Sequence, residues 1–377
     1  MEHKIRECCF IRKWLGSGKF SSTVPLLRET SNEMLSEIKI PYESKFVNIG
    51  KVITGSEKDN EIFTVIFNGD IEDKIPMVII HGFGSLAFDF VDVAEKINEM
   101  SKRPIYLLDT IGFNQSSRHD FFKNISPNDD GSGSGSDNSN GGSNGDNMYF
   151  IPPAFSKFAP PDFLQNQNLD NKAFKAEMEF IKCIEAWRGA LDLKKIILVG
   201  HSFGGYLAAS YAINYPDKIS HLVLAEPWGF VKHPHYFNIY RNLMRLPFNP
   251  LFYTRLMSPK IVGKISSPMI RHLYYCNVQN PTGEEAFALM VAGRQYARNS
   301  MIDRMHILPE EVPLTFIYGK HSWIDVTPAI DLRNARDNTI IRIVPNAGHI
   351  VFEDNLEKFS FWLCNAAVSA DANKGKM

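Results

Sequence analysis

Residues 195–215 read KIILVGHSFGGYLAASYAINY, and this stretch decides the fold class. Its first part, 195–199, contains the run IILV, which has no polar face and predicts a parallel strand covered on both sides. A helix-like run begins at residue 203, so GHSFG at 200–204 occupies a sharp strand-to-helix turn, the context of a nucleophile elbow. The two glycines of GHSFG lack the Cβ atoms that would collide in such a turn, and the serine between them projects towards solvent. The predicted elbow residues are Gly200, His201, Ser202 and Gly204.

Short apolar runs alternate with helical patterns along most of the chain. The strand candidates are 62–67, 77–81, 105–109, 195–199, 221–225, 314–318 and 340–344, and the helix candidates are 88–100, 171–190, 203–215, 328–336 and 356–367. Strands that alternate with helices predict an α/β fold with a mostly parallel, doubly wound sheet.

Two stretches interrupt this alternation. Residues 128–147 contain only Asn, Asp, Gly and Ser, a composition that cannot bury enough apolar area to order itself, so we expect a disordered loop. From 227 to 312 the strand pattern stops, and the helix-like segments 236–244, 251–257, 269–275 and 284–297 predict a helical cap over the sheet. The alternative is an extra helical layer without a substrate role. The predicted α/β core is therefore 36–226 together with 313–370.

Composition excludes several classes of protein. The 377 residues contain 41 Lys and Arg against 42 Asp and Glu, whereas a polycationic nucleic-acid binder needs a basic surplus. No apolar run is long enough to predict a membrane-spanning helix, and residues 1–14 lack the pattern of a secretory signal. Five scattered cysteines do not suggest a disulfide framework, and His233 and His235 have no third partner at metal-ligand spacing. We expect a cytoplasmic protein without metal or organic cofactor.

A serine hydroxyl needs a base, and the base needs an acid that orients it. The candidate base is His349, in the segment NAGH directly after the last predicted strand. In this architecture the acid follows the preceding strand, where Asp325 lies in GKHSWID, although a helix cap is an alternative role for it. Asp303 and Glu226 are competitors, the latter because it ends the strand that follows the elbow helix.

The remaining component is an oxyanion hole. One backbone N–H should come from Phe203, the residue after the nucleophile, and the second from the loop after an earlier strand. HGFG at 81–84 follows an apolar strand, so the N–H of Phe83 is the expected partner. Neither HGFG nor GHSFGG carries a phosphate-binding signature, which argues against nucleotide binding.

Several segments together resemble a known family. They are the elbow, HGFG, LDTIGFNQSS at 108–117, EPWGF at 226–230, and YG…WID combined with AGHIVFED at 347–354. From about residue 14 to 362 the chain resembles the α/β-hydrolase domain-containing proteins four and five. That family includes an N-acyl-phosphatidylethanolamine lysophospholipase, with Ser at the elbow, and a lipid-droplet lipase coactivator, with Asn there.

The resemblance implies an α/β-hydrolase fold with an inserted helical cap, and Ser202 places the chain in the hydrolase branch. The family's acid and base correspond to Asp325 and His349. The family also carries an HxxxxD motif proposed for lysophosphatidic acid acyltransferase activity, here His349 to Asp354, and a helix cap is the alternative role for Asp354. Residues 1–35 correspond to a lipid-droplet anchor, either as a lipid-interfacial segment or as a helix that packs on the core.

The sequence therefore predicts a serine hydrolase of lipid acyl esters, most specifically a (lyso)phospholipase. The alternatives are an acyltransferase that uses acyl-CoA and a coactivator that recruits a triglyceride lipase to lipid droplets. The expected partners are a phospholipid or lysophospholipid substrate and a lipid-droplet or intracellular membrane surface, with the mitochondrion as a further location.

Overall fold

The computed structural model describes residues 23–119, 170–232, 262–293 and 296–373. The strands are β1 (Tyr42–Gly50), β2 (Asn60–Phe67), β3 (Met77–Ile80), β4 (Ile105–Leu108), β5 (Ile196–His201), β6 (Ile219–Ala225), β7 (Val291–Gly293), β8 (Tyr296–Ala297), β9 (Leu314–Gly319) and β10 (Thr339–Val344). The α-helices are α1 (Val24–Ser36), α2 (Val91–Met100), α3 (Asn171–Ala190), α4 (Phe203–Asn214), α5 (Pro268–Asn277), α6 (Thr282–Met290), α7 (Thr327–Ala335), α8 (Val351–Asp354) and α9 (Leu356–Asn373).

Eight of the strands form one sheet in the order β1-β2-β4-β3-β5-β6-β9-β10. All neighbouring strands from β4 to β10 are parallel, and β2 is antiparallel to both of its neighbours. The carboxyl ends of β5, β6, β9 and β10 consequently lie side by side at the same end of the sheet. Ligands bind at this end of the strands in open α/β folds. The prediction of a mostly parallel, doubly wound sheet is confirmed.

Apolar side chains cover both faces of this sheet, which explains why its strands read as continuous apolar runs. All four residues of β3 are buried; Met77 and Ile79 belong to one hydrophobic cluster, and Val78 and Ile80 belong to another on the opposite face. Every residue of β5, β6 and β9 is buried as well. The central strands are thus rigid supports for the loops that follow them.

The seven predicted strands all form, but β1, the ribbon of β7 and β8, and the short helix α8 were not predicted. Strand β1 lies at the edge of the sheet, where most of its residues are exposed or half-buried and no apolar run marks it. Except for its last residue, helix α1 lies within residues 1–35, for which a helix was one of the two alternatives.

Within the cap, α5 and α6 match the predicted segments 269–275 and 284–297 in part. The second prediction is wrong beyond Met290, because α6 ends there and a two-stranded ribbon, β7 with β8, follows it. The predicted segments 236–244 and 251–257 and the polar tract 128–147 lie outside the described residues. The boundaries between core and cap stay predictions.

The described part of the N-terminal region packs on the rest of the protein. In α1, Leu27 contacts a cluster that includes Tyr274 and Tyr275 of α5, while Met34 and Leu35 belong to one of the two main clusters. This arrangement corresponds to the packing alternative for this segment. Residues 1–22 lie outside the described residues, and none of the described helices is long and apolar enough to cross a bilayer.

Candidate active site

Ser202 occupies a strained turn between β5 and α4. Its φ of 54° and ψ of −117° are rarely adopted by residues other than glycine. A Cβ on Gly200 would lie 2.3 Å from the carbonyl oxygen of Gly204, and a Cβ on Gly204 would lie 2.3 Å from the carbonyl oxygen of Ile80. Only glycine at both positions lets the helix start this close to β3. The local structure is that of the predicted elbow.

His349 meets Ser202 from the loop that follows β10. Its Nε2 atom lies 3.1 Å from the Ser202 hydroxyl oxygen, across a separation of 147 positions in the chain. This distance is within hydrogen-bond range and suits removal of the hydroxyl proton. The structure therefore brings the predicted nucleophile and the predicted base together.

The carboxylate behind His349 belongs to Glu226. Its Oε2 atom lies 3.3 Å from Nδ1 of His349, and its side chain is fully buried. Glu226 directly follows the last residue of β6, with a left-handed φ of 49° that turns its side chain into the site. Its carboxylate also accepts hydrogen bonds from the backbone N–H of Gly319 and the hydroxyl of Ser322. These donors hold the carboxylate in one orientation.

Asp325 does not take the place that sequence analysis gave it. It is exposed, and its Oδ1 atom accepts hydrogen bonds from the backbone N–H and the hydroxyl of Thr327, at 2.9 and 2.7 Å. An aspartate side chain that accepts a hydrogen bond from the residue two positions later stabilises a local turn. The Asp325 carboxylate is therefore bound in this turn and not to His349. Asp303, another competitor, forms an ion pair with Lys232. The available signal for Glu226 was its position at the end of the strand after the elbow helix.

The loop predicted to carry an oxyanion donor lies against the nucleophile. A Cβ on Gly82 would come within 3.1 Å of the Cβ of Ser202, so Phe83 follows a residue in contact with the elbow. Phe203 is the first residue of α4, and the first N–H groups of a helix have no partner within the helix. The role of the Phe83 and Phe203 N–H groups as oxyanion donors stays a prediction.

His81 anchors this loop as a neutral imidazole. Its Nε2 accepts the backbone N–H of Thr110 at 2.9 Å, so Nδ1 carries the hydrogen that is donated to the carbonyl of Gly82 at 2.7 Å. Burial lowers the pKa of His81, which keeps it uncharged. The hydrogen bond from His81 to the Gly82 carbonyl fixes the backbone of the residue before Phe83.

His201, the elbow residue before the nucleophile, contacts the base rather than solvent. Its Nε2 lies 2.9 Å from the carbonyl oxygen of His349. Burial lowers the pKa of His201 to about 3, so it is neutral at ordinary pH and donates through Nε2–H.

The aspartate of the HxxxxD motif also contacts the backbone of this loop. Asp354 Oδ2 accepts the N–H of Gly348 at 2.7 Å. The imidazole of His349 is itself shared between Ser202 and Glu226. The carboxylate of Asp354 therefore bonds the residue before His349, and the bonds of the His349 imidazole go to Ser202 and Glu226.

Aromatic side chains from the core and the cap surround the elbow. Phe287 of α6 stacks on Phe83 with ring centroids 4.5 Å apart and meets Phe203 edge-on at 4.7 Å. Trp228, from the EPWGF segment, lies 4.9 Å from Phe287, and Trp323 lies 4.9 Å from the ring of His349. An apolar, aromatic surrounding of this kind suits an acyl chain more than a polar substrate.

No cluster of three or more His, Cys, Asp or Glu side chains in the described ranges could hold a metal ion. His233 and His235 lie outside those ranges.

Two relatives match this chain over most of its length. The mouse protein named 1-acylglycerol-3-phosphate O-acyltransferase ABHD5 is 29% identical over 365 residues, which cover 89% of this chain and 87% of that protein. The human protein named (Lyso)-N-acylphosphatidylethanolamine lipase is 28% identical over 332 residues, covering 80% of this chain and 81% of that protein.

Among solved structures, a bacterial membrane phospholipase A superposes with a TM-score of 0.57 at 16% identity, covering 98% of this chain and 99% of that one, a likeness of fold. A family model described as alpha/beta hydrolase fold matches residues 75–267. The chain, with its elbow after β5 and its eight-stranded sheet, belongs to the alpha/beta hydrolase fold family.

Proposed function

We propose that this protein is a serine hydrolase that cleaves acyl esters of lipids, with phospholipids and lysophospholipids of the N-acyl-phosphatidylethanolamine type as substrates. The observation that carries the proposal is the contact of 3.1 Å between the Ser202 hydroxyl and His349 Nε2, with the buried carboxylate of Glu226 behind the imidazole. Nucleophile, base and orienting acid in this relation are the requirement for covalent ester hydrolysis.

In the first half-reaction, the Ser202 oxygen attacks the ester carbonyl carbon while its proton moves to Nε2 of His349. Nδ1–H of His349 points at Glu226, whose negative charge stabilises the imidazolium that forms. The imidazolium then gives its proton to the leaving alcohol oxygen as the C–O bond breaks. The product is an acyl ester on Ser202.

In the second half-reaction, water attacks the acyl-serine and gives a proton to His349. Collapse of the intermediate releases the fatty acid, and His349 returns the proton to Ser202. In both halves the negative oxygen is held by the backbone N–H groups of Phe83 and Phe203. Removal of one such donor typically costs about 10²–10³ in rate.

Two observations support a lipid substrate. The rings of Phe83, Phe203, Trp228 and Phe287 form a connected aromatic cluster that starts at the residue after Ser202, and such an apolar environment favours an acyl chain. The relatives described above carry the names of a lipase and of an acyltransferase that act on phospholipids.

The test uses purified wild type and Ser202→Ala with lysophosphatidylethanolamine and N-acyl-lysophosphatidylethanolamine, measuring released fatty acid. We expect release from wild type and at least a 10³-fold loss in the variant, together with loss of labelling by a fluorophosphonate probe. The matched control is Ser369→Ala, an exposed serine of α9 away from the site, which should keep both the activity and the labelling of wild type. A Ser202→Ala protein with full esterase activity and full labelling contradicts the proposal.

A second candidate is acyl transfer to lysophosphatidic acid, favoured by the name of the mouse relative. The same acyl-serine serves both reactions, and the acceptor, lysolipid or water, decides which product appears. Incubation with labelled oleoyl-CoA and lysophosphatidic acid discriminates between them. Labelled phosphatidic acid in excess of free oleate favours transfer, and the reverse favours hydrolysis.

The third candidate, a coactivator that recruits a triglyceride lipase to lipid droplets, needs no activity at Ser202. Its test is the location of tagged protein in cells, with and without residues 1–22. We expect a cytoplasmic protein that associates peripherally with lipid surfaces. Equal, diffuse signal for both forms counts against recruitment to droplets through this segment.

A further inference from the structure

Hydrogen bonds secure the backbone on both sides of His349. On one side, the Gly348 N–H donates to Asp354 Oδ2 at 2.7 Å. On the other side, the His349 carbonyl oxygen accepts from Nε2 of His201 at 2.9 Å. Each contact alone is a common loop feature, but together they flank a single residue, the proposed base.

The bond from His201 links the base to the nucleophile. His201 precedes Ser202 in the chain and is the last residue of β5, so its position follows that rigid, buried strand. Its ring is buried and packs edge-on against Phe352 at 5.0 Å. The distance between Ser202 and His349 therefore depends on a short chain of covalent bonds and one hydrogen bond.

The bond from Asp354 closes the loop of the base from its other end. Asp354 is the last residue of α8, and its own backbone N–H donates to the carbonyl of Ile350 at 3.0 Å. Its carboxylate reaches back six positions to Gly348, so residues 348–354 form a closed turn with His349 inside it. A carboxylate acceptor makes such a backbone bond stronger than a neutral one.

The same geometry bears on the HxxxxD motif. An aspartate that acts with the histidine of this motif in acyl transfer needs to contact the imidazole or the acceptor. Here Nδ1 of His349 already faces the Glu226 carboxylate, and Nε2 faces the Ser202 hydroxyl. The contact made by Asp354 is to a backbone amide one residue earlier.

We propose that His201 and Asp354 are positioning residues that hold His349 in register with Ser202, and that Asp354 serves hydrolysis and acyl transfer equally. The inference rests on the proposed function, because it assigns both residues to the same base. Small displacements matter here, since a misplacement of about 1 Å can cost about 10²-fold in rate.

The experiment compares Asp354→Ala and Asp354→Asn. Asp354 is exposed, so both variants should fold, which a melting curve checks. Asn keeps an oxygen acceptor for the Gly348 N–H, whereas Ala does not. We expect Asp354→Ala to lower kcat about 10-fold with little change in KM, and Asp354→Asn to recover most of it. The matched control is Glu353→Ala, the exposed neighbouring carboxylate, which should stay near wild type.

A second pair of variants tests the other bond. His201→Gln places an amide donor near the position of Nε2 and should keep more activity than His201→Leu, which has no donor. The readout for all variants is the labelling rate of Ser202 by a fluorophosphonate, alongside ester hydrolysis and transfer to lysophosphatidic acid. Equal losses of hydrolysis and transfer in Asp354→Ala support the inference.

Two results overturn it, and they differ from failure of the function itself. Wild-type labelling rates in Asp354→Ala and His201→Leu contradict positioning while leaving the hydrolase intact. Selective loss of acyl transfer in Asp354→Ala, with hydrolysis unchanged, assigns Asp354 to the acceptor instead. A wild-type protein that reacts with neither probe nor ester overturns the proposed function, and the positioning role with it.

Discussion

Nδ1 of His349 lies 3.3 Å from Oε2 of Glu226, a carboxylate at the end of β6 rather than in the loop after β9. Strand β9 still contributes, because its last residue, Gly319, donates its N–H to the same carboxylate. The loop that sequence analysis expected to supply the acid instead supplies donors that hold it. Substitution of Glu226, and not of Asp325, should therefore impair catalysis.

Glu226→Gln should lower kcat by about 10³–10⁴-fold, because a neutral amide cannot stabilise the imidazolium and favours the wrong tautomer of His349. Asp325→Asn should change kcat by less than about threefold, since Asp325 caps a local turn through Thr327. Steady-state hydrolysis of a soluble short-chain ester measures both. An inactive Asp325→Asn beside an active Glu226→Gln would return the acid role to the loop after β9.

Gly204→Ala should destabilise the protein by more than about 3 kcal/mol or prevent folding. The added Cβ would lie 2.3 Å from the carbonyl oxygen of Ile80 and 2.5 Å from that of His81, so backbone has to move. The matched control is Gly189→Ala in α3, where nothing lies within 4 Å of the added Cβ. There we expect unchanged or slightly higher stability, by about 0.5–1 kcal/mol. Urea unfolding of both variants checks the pair, and equal stabilities would refute the argument.

Phe287→Ala should impair long acyl chains more than short ones. Its ring contacts Phe83, Phe203 and Trp228 around the elbow, so its loss removes apolar surface beside the reacting carbonyl. We expect KM for a long-chain ester to rise about 10-fold, the equivalent of about 1.4 kcal/mol, with a smaller change for an acetyl ester. Ile270→Ala, an exposed side chain of α5, is the control on the cap. Equal effects on both chain lengths would argue against a role in acyl binding.

Stability should fall as the pH falls below about 6.5. Burial lowers the pKa of four histidines, to about 3 for His201, to about 4 for His221 and His272, and in direction for His81. Because the folded pKa values lie below the unfolded value of 6.5, the unfolded chain binds more protons in this window. His201, His221 and His272 each contribute stability that is fully present above pH 6.5 and is lost towards pH 4, at about 1.4 kcal/mol per pH unit.

Substitution of one of these histidines measures its contribution to the pH dependence of stability. His272→Asn keeps a donor for Thr30, which lies 3.1 Å from Nδ1, but cannot titrate. Its free energy of unfolding should depend on pH less steeply than that of wild type, by about 1.4 kcal/mol per pH unit between pH 6.5 and 4. Asp109 acts in the opposite sense, since burial raises its pKa to about 6, and it is common to both proteins. Identical slopes would contradict a neutral, buried His272.

The central strands of the sheet could be predicted from the sequence, because their burial leaves a pattern in consecutive residues. Strands β3, β5 and β6 are buried on both faces and therefore appear as uninterrupted apolar runs. Strand β1 was missed because it lies at the sheet edge, where one side of the strand has no neighbour and its side chains need not be apolar. The ribbon of β7 and β8 was missed because its residues continue the composition of the helix before it.

The sequence alone determined the elbow, because the clash that excludes any Cβ at Gly200 arises from atoms only four or five residues away. It also identified His349, because a glycine and a terminal strand precede it. It left open which carboxylate completes the site, because Asp325 and Glu226 each follow a strand of the sheet. Glu226 and His349 lie 123 positions apart, and only the side-by-side arrangement of parallel strands β6, β9 and β10 brings their ends to one edge. Packing then buries the nearer carboxylate against the imidazole, whereas Asp325 remains in solvent with its own turn.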